Sequence, residues 1–162
     1  MRSNISLTGA ILLWGLAVFS QSAVGKGPIA VQPGAAWATP AGPGQKVAAV
    51  YISLRNRGKT PETLTGASSS VAADVQMHSL ELKDGIARMR RVERLAVPAG
   101  AELKLAPGSH HLMLMGLKQP LKTGDTITVH PHFEGGAILD VAVPVTDPSA
   151  KSASKGGPHA NH

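Results

Sequence analysis

The chain has 162 residues, of which 43% are hydrophobic and 16% charged, and this composition predicts one folded domain rather than a disordered chain. It has no cysteine, which excludes disulfide bonds, thiol–disulfide exchange and catalysis by a thiolate. The formal net charge of +6 is spread along the sequence, aromatic residues make up only 3%, and nucleic acid is therefore not an expected partner.

Residues 1–25 have the pattern of an export signal. Arg2 supplies a positive start, and the apolar run from Ile5 to Phe19 is too short and too early for an ordinary membrane span. Small residues permit cleavage at more than one position within 22–25, so the exact bond stays open. We expect an exported protein without a stable membrane span after signal removal, with an uncleaved N-terminal anchor as the alternative.

The rest of the chain predicts β structure. Residues 26–46 are rich in proline and glycine and indicate an entry strand or a loop. Beyond them come seven short segments with alternating or β-branched residues, separated by turn residues: Val47 to Arg55, Asp74 to Leu82, Ile86 to Val92, Ala101 to Leu105, His110 to Met115, Thr126 to Phe133 and Ala137 to Val145. This spacing predicts one all-β domain, a sandwich or barrel, over residues 26–146. Residues 147–162 indicate a flexible polar tail.

One predicted strand carries both imidazole and thioether side chains. Because strand residues alternate between faces, His111, Met113 and Met115 share one face, and Leu112 and Leu114 occupy the other. A thioether is a soft neutral donor that binds Cu(I) well and offers little to zinc, magnesium or calcium. The strand therefore predicts part of a copper site.

A predicted hairpin supplies a second pair of such side chains. A two-residue turn at Asp84-Gly85 sets Leu80 opposite Met89 and leaves His78 diagonal to Met89 on the same face. Two imidazoles and two thioethers form a neutral ligand set, which suits the single charge of Cu(I) better than Cu(II). Taken singly, a strand methionine is more often core and a strand histidine more often a surface residue.

The spacing of these residues resembles the metal motif of the periplasmic copper chaperone family PCu(A)C. His78 is followed by ten residues, then Met89, twenty-one residues and His111-Leu112-Met113. The resemblance extends over residues 29–146 and includes the following stretches: Ala48-Ala49-Val50-Tyr51, Asn56-Arg57-Gly58, Asp84 to Arg90, Pro107-Gly108, Met113 to Lys118 and Pro120 to Asp125.

This resemblance implies a cupredoxin-like Greek-key β fold and a single Cu(I) ion held by His78, Met89, His111 and Met113. It also implies a periplasmic location and delivery of copper to the copper centre of cytochrome c oxidase. The expected partners are a copper-accepting oxidase subunit and a thioredoxin-fold copper protein, and the protein is expected to be a monomer.

Other histidines and methionines are not assigned to this site. Met77 is expected in the core, Met115 to pack beside the site or assist it, and His110 to point away from it. His130 and His132 share a strand face. A second, Cu(II) site that joins them to His159 and His162 of the tail is left open.

No motif for an enzyme is present, so the leading hypothesis is a carrier that performs no catalysis. Two alternatives stay open at this point. The same soft ligands would serve copper storage or resistance without dedicated delivery. The chain could also be a structural exported β domain in which these residues are incidental.

Overall fold

The structure, a computed structural model, describes residues 31–147. This part of the chain contains no helix and folds into β-strands, which are the following: β1 (Val31–Ala38), β2 (Val47–Asn56), β3 (Glu62–Ser68), β4 (Asp74–Lys83), β5 (Ile86–Arg91), β6 (Leu95–Val97), β7 (Glu102–Lys104), β8 (His110–Met115), β9 (Thr126–Phe133) and β10 (Val141–Pro144). No helix within these residues is long and apolar enough to cross a membrane.

The strands form two antiparallel sheets. One has the order β1-β2-β8-β4-β5 with β7 also paired to β2, and the other has the order β10-β9-β3-β6. Neighbours such as β2 and β8 are distant in the sequence, so the chain passes from sheet to sheet as Greek-key connections do. The prediction of a single all-β sandwich domain is confirmed.

The hydrophobic core lies between the two sheets. Strand β2 buries every second residue, and Val50, Ile52 and Leu54 face the core. Val129 and Phe133 of β9 are buried in the other sheet. Since one face of each sheet is occupied by the core, the opposite face is free to carry polar and functional side chains.

Three strands differ from the sequence prediction. The sequence pattern predicts neither β3 nor β6, which has only three residues, and the final strand is shorter than expected. Strand β3 is rich in small and polar residues, and a register shift between Leu64 and Gly66 interrupts its alternation. The final strand starts at Val141 rather than at Ala137. Strand β1 tolerates Pro33 because it lies at a sheet edge, where a missing N–H costs no ladder hydrogen bond.

Strands β4 and β5 form a two-stranded ribbon at one edge of the larger sheet. At the turn, Asp84 and Gly85 both have positive φ, 54° and 74°, as a two-residue hairpin turn requires. Leu80 pairs with Met89, so the predicted register is confirmed. All of β5 is exposed. The predicted export signal and residues 148–162 of the predicted tail lie outside the described residues.

Candidate metal centre

The centre of the candidate site is a pair of histidines on the face of the larger sheet that points away from the core. Strand β4 pairs with β8 so that His78 lies directly opposite His111. Their ring centroids are 5.8 Å apart and the rings are nearly perpendicular, at 80°. Two residues far apart in the sequence are thus held as cross-strand neighbours, at a separation that permits both to bind one ion.

His111 is enclosed although it lies on the outer face. It is only 5% exposed, and the ring of Tyr51 on β2 lies 6.2 Å from it. Trp37 on β1 packs against Tyr51, with 4.4 Å between the ring centroids. The His111 Nδ1 atom lies 3.3 Å from the Ser109 carbonyl oxygen. A carbonyl only accepts, so Nδ1 carries the hydrogen and Nε2 keeps its lone pair for a ligand.

His78 has one ring nitrogen without a partner. Its Nε2 atom is hydrogen-bonded to Gln76 Oε1 at 3.1 Å, whereas Nδ1 is buried and makes no hydrogen bond within the described residues. A buried polar atom without a partner is rare in folded proteins and calls for a physical explanation. A soft metal ion that binds this imidazole supplies one, so the residues fit the copper site that the sequence predicts.

The environment of His78 disfavours its charged form. Burial first, then the nearby His111 ring and the Arg91 guanidinium, lower the pKa of His78 below its ordinary value. The unfolded chain therefore takes up this proton before the folded protein does. The contribution of neutral His78 to the free energy of unfolding is fully present above the unfolded pKa of about 6.5. It is lost as the pH falls from there through the folded pKa.

We therefore expect the His78 ring signal in the NMR spectrum of the copper-free protein to titrate at lower pH than a histidine in an unstructured peptide. Arg91→Gln removes one cationic neighbour and is expected to move the midpoint upward. A His78 midpoint at or above the peptide value would contradict this description of the site.

The two methionines are placed differently. Met113 on β8 is opposite Gln76 and lies beside both histidines on the same sheet face. Met89 on β5 is opposite Leu80, on the other side of His78. These two pairings are four positions apart on β4, or roughly 14 Å along the strand. His78, His111 and Met113 thus form a compact group. Met89, which is 51% exposed, lies apart from this group on the ribbon.

The residues left out of the site occupy the positions expected from strand alternation. Met77 is 3% exposed and belongs to the core, as predicted. Met115 pairs with Asp74 and Val47 at the far end of β8. Sequence reasoning missed Gln76, although the period of two places it on the same face as His78.

His130 and His132 lie on β9 in the other sheet, with partners of their own. His130 Nδ1 is 2.7 Å from Asp140 Oδ1, and His132 Nε2 is 2.9 Å from Ser68 Oγ. Within residues 31–147, no group of three or more histidine or acidic side chains is arranged to hold a metal ion. The tail histidines, His159 and His162, lie outside the described residues, and the second site that the sequence left open stays open.

This chain resembles known proteins in both sequence and structure. A model of the LpqE-like family, which is described as a lipoprotein family, matches residues 29–145. The chain belongs to the LpqE-like family. A protein of Leifsonia xyli subsp. xyli (strain CTCB07), named as lipoprotein Lxx21020, is 40% identical to this LpqE-like chain over 124 residues. The match covers 76% of this chain and 74% of that protein.

Solved structures show the same architecture. Copper(I)-loaded DR1885 from Deinococcus radiodurans is 33% identical, with a TM-score of 0.57 over 76% of this chain and 84% of that one. Apo-DR1885 is 29% identical, with a TM-score of 0.58 over 91% and 94%. The copper-bound PCuAC domain from PmoF2, at 20% identity, a TM-score of 0.62 and 74% and 94% coverage, shows likeness of fold alone. This LpqE-like chain therefore has the PCuAC-type fold.

Proposed function

We propose that this LpqE-like protein is a non-enzymatic carrier of one Cu(I) ion, held by His78, Met89, His111 and Met113. The observation that carries the proposal is the unpartnered Nδ1 of His78, opposite His111 and on the same sheet face as Met113. Neutral imidazoles and thioethers together select a soft monovalent ion. The likeness to DR1885, whose solved forms include a Cu(I)-loaded one, supports the same cargo here.

The exposure of the ligands favours transfer over permanent retention. His111 is enclosed, whereas Met89 is half exposed on a ribbon that pairs with the sheet only through β4. Thioethers bind copper without losing a proton, so their release does not wait for protonation. An acceptor can displace Met89 first, and the histidines then release the ion by ligand exchange.

We propose a periplasmic location and delivery to the copper centre of cytochrome c oxidase. The export pattern of residues 1–25 and the lipoprotein names of the family and of the Leifsonia xyli relative support export. The partners are the copper-accepting oxidase subunit and a thioredoxin-fold copper protein, and the carrier acts as a monomer.

Delivery predicts faster filling of the acceptor than free copper can provide. The Cu(I)-loaded protein is mixed anaerobically with the copper-free soluble domain of oxidase subunit II from the same genome, and the copper bound to each protein is measured over time. The control is a Cu(I) chelator complex that sets the same free-copper concentration. Filling at least tenfold faster from the protein than from the chelator supports a dedicated carrier, since transfer within a complex avoids dissociation into solution.

Equal rates from the protein and the chelator would favour the storage alternative, in which the same ligands only buffer copper. A protein that binds copper but leaves the oxidase domain empty would overturn the delivery proposal and leave the copper site intact.

A further inference from the structure

Three side chains on the outer face of β4 form a continuous hydrogen-bonded chain that ends at Nε2 of His78, the residue whose Nδ1 has no partner. Asp74, Gln76 and His78 are spaced by two residues and therefore share one sheet face. Gln76 Nε2 lies 2.9 Å from Asp74 Oδ2, and Gln76 Oε1 lies 3.1 Å from His78 Nε2. Asp74 is itself fixed, because its Oδ1 accepts the Val75 N–H at 2.9 Å.

The direction of each hydrogen bond follows from what each group can donate. A carboxylate only accepts, so Asp74 holds the NH₂ end of the Gln76 amide. The amide oxygen then faces His78 and can only accept, which requires the hydrogen of the neutral imidazole to reside on Nε2. Nδ1 is left with its lone pair, and it is this atom that is buried and has no hydrogen-bond partner.

We infer that Gln76, oriented by Asp74, is a positioning residue that selects Nδ1 as the nitrogen through which His78 binds copper. His111 is set the opposite way, because the Ser109 carbonyl holds its Nδ1 hydrogen and leaves Nε2 free. The paired histidines thus present different nitrogens. For copper the inference rests on the proposed function, but the placement of the hydrogen on His78 does not depend on metal.

The consequence is a site arranged before the ion arrives. Outer partners that hold a ligating imidazole in one tautomer and orientation contribute to metal affinity, and their loss typically lowers it by about 10–100-fold. Gln76→Leu removes the acceptor while keeping a side chain of similar length. Gln119→Leu makes the same amide-to-aliphatic substitution at an exposed loop position and is the matched control.

The direct test is nitrogen NMR of the full chain labelled at its histidine rings, without metal and then with one equivalent of Cu(I), which is diamagnetic. We expect the metal-free His78 to carry its hydrogen on Nε2, and Cu(I) to shift Nδ1 of His78 and Nε2 of His111. In Gln76→Leu, the Nε2 hydrogen of His78 is expected to exchange faster with water, and Cu(I) affinity to fall by about 10–100-fold. Gln119→Leu is expected to retain wild-type behaviour in both measurements.

A hydrogen on Nδ1 of metal-free His78, binding of copper through its Nε2, or an unchanged affinity in Gln76→Leu would overturn the inference. If Cu(I) shifts neither histidine, the proposed function fails, and the inference about copper fails with it. In that case the metal-free spectrum still decides separately whether Gln76 sets the hydrogen position of His78.

Discussion

Replacing His111 with alanine is expected to lower Cu(I) affinity by more than about 100-fold, beyond the range caused by loss of an outer partner. Met89→Ala is expected to lower it by only about tenfold, or about 1.4 kcal/mol. His111 is enclosed and lies directly opposite His78. The Ser109 carbonyl holds its Nδ1 hydrogen, which leaves Nε2 available to bind copper. Met89 stands apart on the exposed ribbon, so the compact group of three ligands survives its removal.

The measurement is anaerobic competition with a coloured Cu(I) chelator for each variant. Met115→Ala is the matched control, because Met115 lies on the same face of β8 as Met113 but outside the proposed ligand set; its affinity is expected to stay within about twofold, or roughly 0.4 kcal/mol. Since His111 is buried, the fold of His111→Ala is checked by its amide NMR spectrum. Greater damage from Met89→Ala than from His111→Ala would contradict the assigned order of ligands.

Asn56→Ala is expected to lower the free energy of unfolding by about 2–4 kcal/mol, because buried groups lose their partners. Asn56 is 0% exposed at the end of β2. Its amide nitrogen donates to the Thr60 carbonyl at 2.8 Å and to the Val97 carbonyl at 3.0 Å, and its oxygen accepts the Gly58 N–H at 2.9 Å. Val97 belongs to β6, so this one side chain ties the two sheets together and also fixes a loop.

Urea unfolding measures this loss as a shift of the midpoint with an unchanged slope. The exposed neighbour Arg57→Ala is the control and is expected to change stability by no more than about 0.5 kcal/mol. At a temperature where Asn56→Ala is still folded, its Cu(I) affinity is expected to equal that of the wild type. Loss of copper affinity in the folded variant would show that the fold and the site are coupled more closely than the contacts indicate.

The sequence could predict features that depend on local geometry. The Asp84-Gly85 turn determines the register of the hairpin, and that register places Met89 diagonal to His78 as expected. Alternation along β8 likewise puts Leu112 in the core and His111 on the other face. Both results follow from a period of two and a turn type, which neighbouring residues determine.

Features that depend on pairing between distant strands could not be derived from local pattern. No residue pattern within β4 or β8 indicates that His78 lies opposite His111, because the folding of the whole sandwich determines the register between these two strands. The family resemblance grouped these residues without giving that register. Gln76 was missed because its role depends on the hydrogen bonds to Asp74 and His78, which the sequence does not display.

The proposed copper site is tested most directly by an anaerobic Cu(I) titration of the protein against a coloured chelator, together with a variant in which His78, Met89, His111 and Met113 are all alanine. We expect one tightly bound equivalent in the wild type, none in the variant, and a folded spectrum for both. No competition by the wild-type protein, or equal binding by the four-alanine variant, would contradict the proposed copper site and leave an exported β domain with another purpose.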